Sequence, residues 1–157
     1  MAVTIFDNSV LRILRSFGDI DLDYFNNRLR LQKIGYLAQR MGIEGGFPYS
    51  WYLRGPYSSS LTSVLYQGEE MDVFKDQPTL NKNESHVVQN IKDLLGNGID
   101  DIRELELYAS VWYLMPERKS TRVDLDAVLE IMHNEKPQYS DTEIATAFDK
   151  ILVQTQE

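Results

Sequence analysis

Apolar residues recur at helical spacing along most of the chain. Val10, Leu11, Ile13 and Leu14 lie between Asn8, which can cap a helix, and Gly18, and they predict a short helix through Phe17. At about 100° per residue, Leu31, Ile34, Leu37, Ala38 and Met41 share one arc. They predict a longer helix that starts at Asp21 or Asp23 and is ended by Gly42. The period then changes. Tyr49, Trp51 and Leu53 alternate with Ser50, Tyr52 and Arg54, the period of a short strand, which Gly55-Pro56 should stop. Ser58 can cap the next helix, which carries Leu61, Val64 and Leu65 and precedes Gly68.

The polar stretch 69–82 reads as an irregular loop with room for one helical turn at Met71 to Phe74. Asn83 is placed to cap a helix bearing Val87, Val88, Ile91, Leu94 and Leu95, with Gly96 and Gly98 beyond it. "DDIRELELYASVWYLMPE" begins acidic, as a helix dipole favours, and is then apolar almost all round from Leu107 to Met115. That pattern predicts the central buried helix, closed by Pro116. Leu125, Val128, Leu129 and Met132 mark another helix, from about Val123 to His133. Ser140 and Glu143 form a capping box ahead of Ile144, Ala147, Phe148, Ile151 and Leu152. These last two helices, joined by "NEKPQ", have the order of a helix-turn-helix. The second offers Asp141, Glu143 and Asp149 against Lys150, a poor face for DNA, so core packing is its expected role.

The fold class expected is mainly α: one compact helical domain over 1–157 with a short β-strand pair or hairpin, for which a winged-helix-like arrangement is one form. The chain's 157 residues and 43% hydrophobic content suit one sizeable core. No cysteine is present and only two histidines, so disulfides, thiolate chemistry and multi-histidine metal sites are not expected. The start of the chain lacks a signal-peptide pattern, and no apolar run approaches the roughly 20 residues of a membrane span. A soluble, cytoplasmic protein without cofactor is the expectation.

Charge changes the picture. Residues 1–66 hold seven Arg and Lys against five Asp and Glu, a net of +2, whereas 67–157 hold nine against nineteen, a net of −10. An anion-binding surface therefore belongs in the first half. The long helix there carries Arg28 and Gln32 on a polar stripe, with Lys33, Tyr36 and Arg40 between stripe and apolar arc. Arg30 falls inside the apolar arc. A buried guanidinium needs a partner, so Arg30 either ties two parts of the fold together or anchors a ligand. In "WYLRGPYS", aromatics suit a half-buried strand, and Gly55, Pro56 and Ser58 suit a strand-to-helix corner. The same residues allow a small anion or peptide site of Arg54, Tyr57 and Ser58 at a helix N-terminus. His86 and His133 lack ligand-spaced partners. No phosphate loop or Ser/His/Asp signature is present, so no catalytic residue is assigned and an enzyme is not the expectation.

"NRLRLQKIGYLAQRMGI", "YSWYLRGPYSSSLTSVL", "ELELYASVWYL" and "KPQYSDTEI", in that order, resemble the YwgA-like family of uncharacterised prokaryotic proteins, from about Asn27 to Leu152. The chain is also similar, more distantly, to the Panacea (SocA-like) domain of toxin–antitoxin systems, although Arg-Gly-Pro-Tyr stands here where that group has a "YGPV" turn. The resemblance implies a mainly helical domain with a small β element and carries no catalytic residues. It places Arg30, Gln32, Lys33, Tyr36, Arg54, Gly55, Pro56, Tyr57 and Ser58 in the shared motif. The function expected is a non-enzymatic protein-interaction or regulatory module, antitoxin-like, whose partner is a toxin or regulator; a homodimer is one option. The alternative is a nucleic-acid or nucleotide-binding regulator using Arg28, Lys33, Arg40 and Arg54.

Overall fold

Seven α-helices and one two-stranded hairpin make up residues 7–117 and 120–155, the part of the chain that the computed structural model describes. In order they are α1 (Ser9–Ser16), α2 (Phe25–Arg40), β1 (Ser50–Tyr52), β2 (Gly55–Tyr57), α3 (Ser59–Glu70) and α4 (Lys82–Leu95). A 3-10 turn (Gly96–Asp100), α5 (Ile102–Leu114), α6 (Arg122–Glu135) and α7 (Asp141–Thr155) follow. The reading of the first six residues as lacking a signal pattern lies outside the described residues.

Local chemistry sets most of the boundaries. Asn8 accepts from the amides of Val10 and Leu11 at the start of α1. Ser140 and Glu143 close the expected capping box on α7, each taking the other's amide at 3.0–3.1 Å. Asn81, not Asn83, caps α4, because only Asn81 has a glutamate, Glu84, three residues on to complete the box. α2 begins later than Asp21 or Asp23 suggested: Asp21 accepts the Asp23 amide in a turn of its own, and extended Tyr24 precedes the helix without a side-chain cap. Gly68 lies inside α3, which absorbs Glu69 and Glu70 from the expected loop. What remains of that loop is tethered by buried Phe74, whose carbonyl accepts from Arg15 Nε at 2.6 Å.

Gly55-Pro56 does not stop the strand but forms β2. β1 and β2 pair antiparallel as Ser50↔Tyr57, Trp51↔Pro56 and Tyr52↔Gly55, with Leu53 and Arg54 in the turn. Pro56 is tolerated because the sheet has only two strands, so each is an edge. Gly55 has φ +93°, and a Cβ on it would stand 2.7 Å from Ser110 Oγ. Both the turn and the close approach to α5 thus require glycine.

α5 is the central helix, buried from Leu105 to Trp112, and it packs against α2, α6, α7 and β2. α2 is buried without interruption from Leu31 to Ala38 because α1, α3, α4, α5 and the hairpin cover it on several sides. α7 sets Ile144, Ala147, Phe148 and Ile151 into the core, largely against α5. The hairpin enters between α2 and α3, away in sequence from the α6–α7 pair. Among the described residues, no helix is long and apolar enough to cross a membrane.

Candidate interaction site at the hairpin

Three charged side chains from three helices meet beneath the hairpin. Lys33 of α2, Glu106 of α5 and Lys136 at the end of α6 are 1%, 3% and 2% exposed. Lys33 Nζ donates to the Pro56 carbonyl at 2.9 Å. Lys136 Nζ donates to the Leu53 carbonyl at 2.6 Å and to Glu106 Oε2 at 3.2 Å, and it lies 5.4 Å from the Trp51 ring centroid. Tyr139 donates its hydroxyl toward Glu106 Oε2 (3.4 Å) and the Arg103 carbonyl (3.1 Å). Arg54 Nη1 stands 3.6 Å from Glu106 Oε1. Lys136 and Arg54 thus share one carboxylate, whose field also reaches Lys33. Burial lowers the Lys33 ammonium to about 8; Glu106 opposes the shift, while Lys136 and Arg54 add to it. The two ammonium groups bind the carbonyls on either side of Arg54-Gly55, which fixes the turn from below.

The outer side of the same hairpin is apolar and aromatic. Leu53 is 89% exposed, and Tyr24, Phe25, Tyr52 and Tyr66 also face solvent. Arg28 and Arg54 each hold their guanidinium 5.8 Å from the Phe25 ring centroid. That distance is within the range of cation–π attraction. Arg28 also donates to the Leu22 carbonyl at 2.6 Å. Tyr52 meets Tyr57 edge-on, with ring centroids 5.2 Å apart.

Gln32 joins the hairpin to α3. Its Nε2 donates to the Ser58 carbonyl (2.9 Å) and Thr62 Oγ1 (2.8 Å), and its Oε1 accepts from the Ser58 amide (2.8 Å). Ser58 is buried, and its hydroxyl accepts from the Leu61 amide at 3.2 Å. The first turn of α3 is therefore served from within. Tyr57 places its hydroxyl 2.8 Å from Thr62 Oγ1, at the edge of a 190 Å³ cavity shared with Phe25 and Arg28.

Two sequence candidates lie elsewhere. Arg30 donates to the Ile99 carbonyl at 3.2 Å and to Asp100 Oδ1 at 3.1 Å, tying α2 to the 3-10 turn. Tyr36 packs against Tyr49 and Tyr113 (centroids 5.1 and 6.0 Å) in the wall of a 590 Å³ cavity that Arg40 also lines. Burial raises the Tyr36 hydroxyl pKa, so it stays protonated.

The structure therefore brings together Lys33 and Arg54, links Arg28 to them through Phe25, and sets Gln32, Tyr57 and Ser58 at the neighbouring corner. Glu106, Lys136, Phe25 and Leu53 were not among the site residues that the sequence suggested. Glu106 had a signal, a carboxylate between Leu105 and Leu107 at the head of the apolar run of α5. Lys136, in a polar linker, had none. Among the described residues no group of three or more His, Asp or Glu side chains is arranged to hold a metal ion. No family model matches the chain, and no curated protein or solved structure matches it either.

Proposed function

We propose that this chain is a non-enzymatic protein-binding module of the cytoplasm, regulatory and antitoxin-like, that docks its partner through the hairpin turn and the aromatic–arginine face beside it. One observation carries the reading: buried Lys33 and Lys136, the latter paired with buried Glu106, hold the carbonyls of a turn whose tip presents Leu53 at 89% exposure. Burying an ammonium costs several kcal/mol before its partners compensate. An ordinary surface turn would leave those carbonyls to water at no such cost. Fixing the turn in advance lowers the ordering cost of binding. Arginine and aromatic residues are also the side chains that dominate binding energy at protein interfaces. The partner surface implied has an apolar recess for Leu53, flanked by carboxylates for Arg28 and Arg54. The YwgA-like and more distant Panacea-like resemblance supports the same direction.

A second reading is favoured by one detail. Phe25 between Arg28 and Arg54 suits a base stacked on the ring with its phosphate on the guanidinium groups.

The test is capture from the native host by wild-type chain and by Leu53→Asp, followed by titration of any purified partner. A partner that binds the wild type and is lost with Leu53→Asp supports docking. Equal capture by both sinks it. Binding of single-stranded nucleic acid that falls steeply with salt, and vanishes in Phe25→Ala, favours the second reading. A second copy of this chain as the captured partner identifies a homodimer.

A further inference from the structure

A second cavity lies on another side of α2 and plays no part in the docking reading. Its 590 Å³ is lined by Tyr36, Tyr49, Tyr113, Arg40, Met115 and Glu117, among others. That size falls within the range of small-molecule sites, about 300–1,000 Å³. Its walls are rings: Tyr49 stands edge-on to Tyr36 at 5.1 Å and 72°, and Tyr113 is tilted toward Tyr36 at 6.0 Å and 45°. Among the described residues that line the cavity, Arg40 is the cation. Arg40 holds its guanidinium carbon over the Trp112 ring, 5.7 Å from the centroid, within the range of cation–π attraction. Its contact to Glu117 is 4.0 Å, too long for a hydrogen bond, and the Glu117 side chain is 95% exposed. That carboxylate occupies the mouth of the cavity without closing on the arginine.

We infer that this cavity binds a small planar aromatic anion, the ring lying among Tyr36, Tyr49 and Tyr113 and its carboxylate or phosphate taking the place of Glu117 on Arg40. The ring quadrupoles favour offset or edge-on arrangement of a further ring. A guanidinium presents paired donors that match a carboxylate or phosphate edge. Tyr36 lines the same cavity as Arg40, and burial keeps its hydroxyl protonated. The chain is acidic overall, with a net charge of −8, so an anion is attracted only where a cation stands that its neighbouring carboxylate holds loosely, as Glu117 holds Arg40 at 4.0 Å. A neutral ring forgoes the arginine, and an aliphatic anion forgoes the walls.

Ligand-detected NMR and calorimetry on the full chain test this with benzoate, 4-hydroxybenzoate and AMP as probes, and benzamide and adenosine as neutral counterparts. The anions are expected to saturate one site and to compete with one another. The neutral counterparts bind more weakly. Arg40→Gln weakens the anions by about tenfold or more, the loss of a charge-assisted contact. Glu117→Gln, a change on an exposed side chain, tightens them by removing the competing carboxylate. Arg28→Gln, on the hairpin face, leaves them unchanged. The inference is overturned if no anion saturates below roughly 5 mM, if neutral and anionic probes bind alike, or if folded Arg40→Gln binds as the wild type does. Should Arg40→Gln fail to fold, Glu117→Gln decides: unchanged or weaker anion binding overturns the site. Hairpin variants such as Leu53→Asp do not touch this cavity, so either reading can fail without the other.

Discussion

The ammonium group of Lys136 lies 2.6 Å from the carbonyl oxygen of Leu53, joining a 2%-exposed lysine to an 89%-exposed leucine. The leucine side chain faces water while its backbone is held from the interior. Three helices contribute to this support, since Lys33 and Glu106 complete the network. The arrangement separates what the turn displays from what fixes it, and the two can be tested apart.

Removing one member of the buried network leaves the others without compensation. Lys136→Met should cost about 3 kcal/mol, because Glu106 then keeps only the longer contact to Arg54 among its cations. Glu106→Leu should cost a similar amount. The double variant should lose clearly less than the sum of the two, a coupling that urea unfolding at pH 7 measures. Additive losses would show that the pair does not act as a unit.

The tip itself should carry binding and not stability. Leu53→Asp is expected to leave unfolding free energy within about 0.5 kcal/mol of wild type, as for other exposed positions. Arg54→Ala should weaken partner binding by about 2 kcal/mol if it is a hot-spot residue. Titration of the purified partner, together with thermal unfolding of each variant, separates these effects.

Gly55 and Ser110 make an opposed pair. Ser110 Oγ is buried without a hydrogen-bond partner. Ser110→Ala should therefore be neutral or raise stability by up to about 1 kcal/mol. Gly55→Ala should cost more than about 1 kcal/mol, since φ is +93° and the new Cβ meets that hydroxyl. In the Ser110→Ala background the cost should shrink but persist, because the backbone strain remains. Denaturant midpoints of the four proteins check this.

Lys33 gives the fold an alkaline signature. Its pKa is about 8 when folded against 10.5 for a lysine in water, so between these values the unfolded chain binds the extra proton. Stability must then rise with pH, starting near 8. Above 10 the buried hydroxyls of Tyr36 and Tyr49, whose pKa values are raised, add to the trend's reversal, because only the unfolded chain ionises them. The rise is expected from pH 8 to 10 and should disappear in Lys33→Met. A flat or falling profile for the wild type over that window would contradict the assignment.

Much of this architecture was legible in the order of residues. Period and caps pointed to seven helices near their true places and a strand beside the turn. The cap of α4 was not legible: Asn83 was expected, and Glu84, three residues after Asn81, selects Asn81 instead. Arg30 stood out because a guanidinium sat in an apolar arc, and it is bound to the 3-10 turn. Lys33 was harder to place. A helix covered on several sides loses the contrast between its faces, so its period no longer tells which polar residues are interior. Pro56 suggested an end to pairing, yet an edge strand needs no amide there. Lys136 had no signal at all, because its meaning comes from Leu53 and Glu106, 83 and 30 residues away in the chain.

That separation makes the turn answerable to distant sequence. β1 and β2 adjoin in the chain, but the lysine that seats their turn stands at the end of α6. Without that contact the turn is held from the α2 side alone, through Lys33. The display geometry of the hairpin therefore reports whether helices far downstream are in their places.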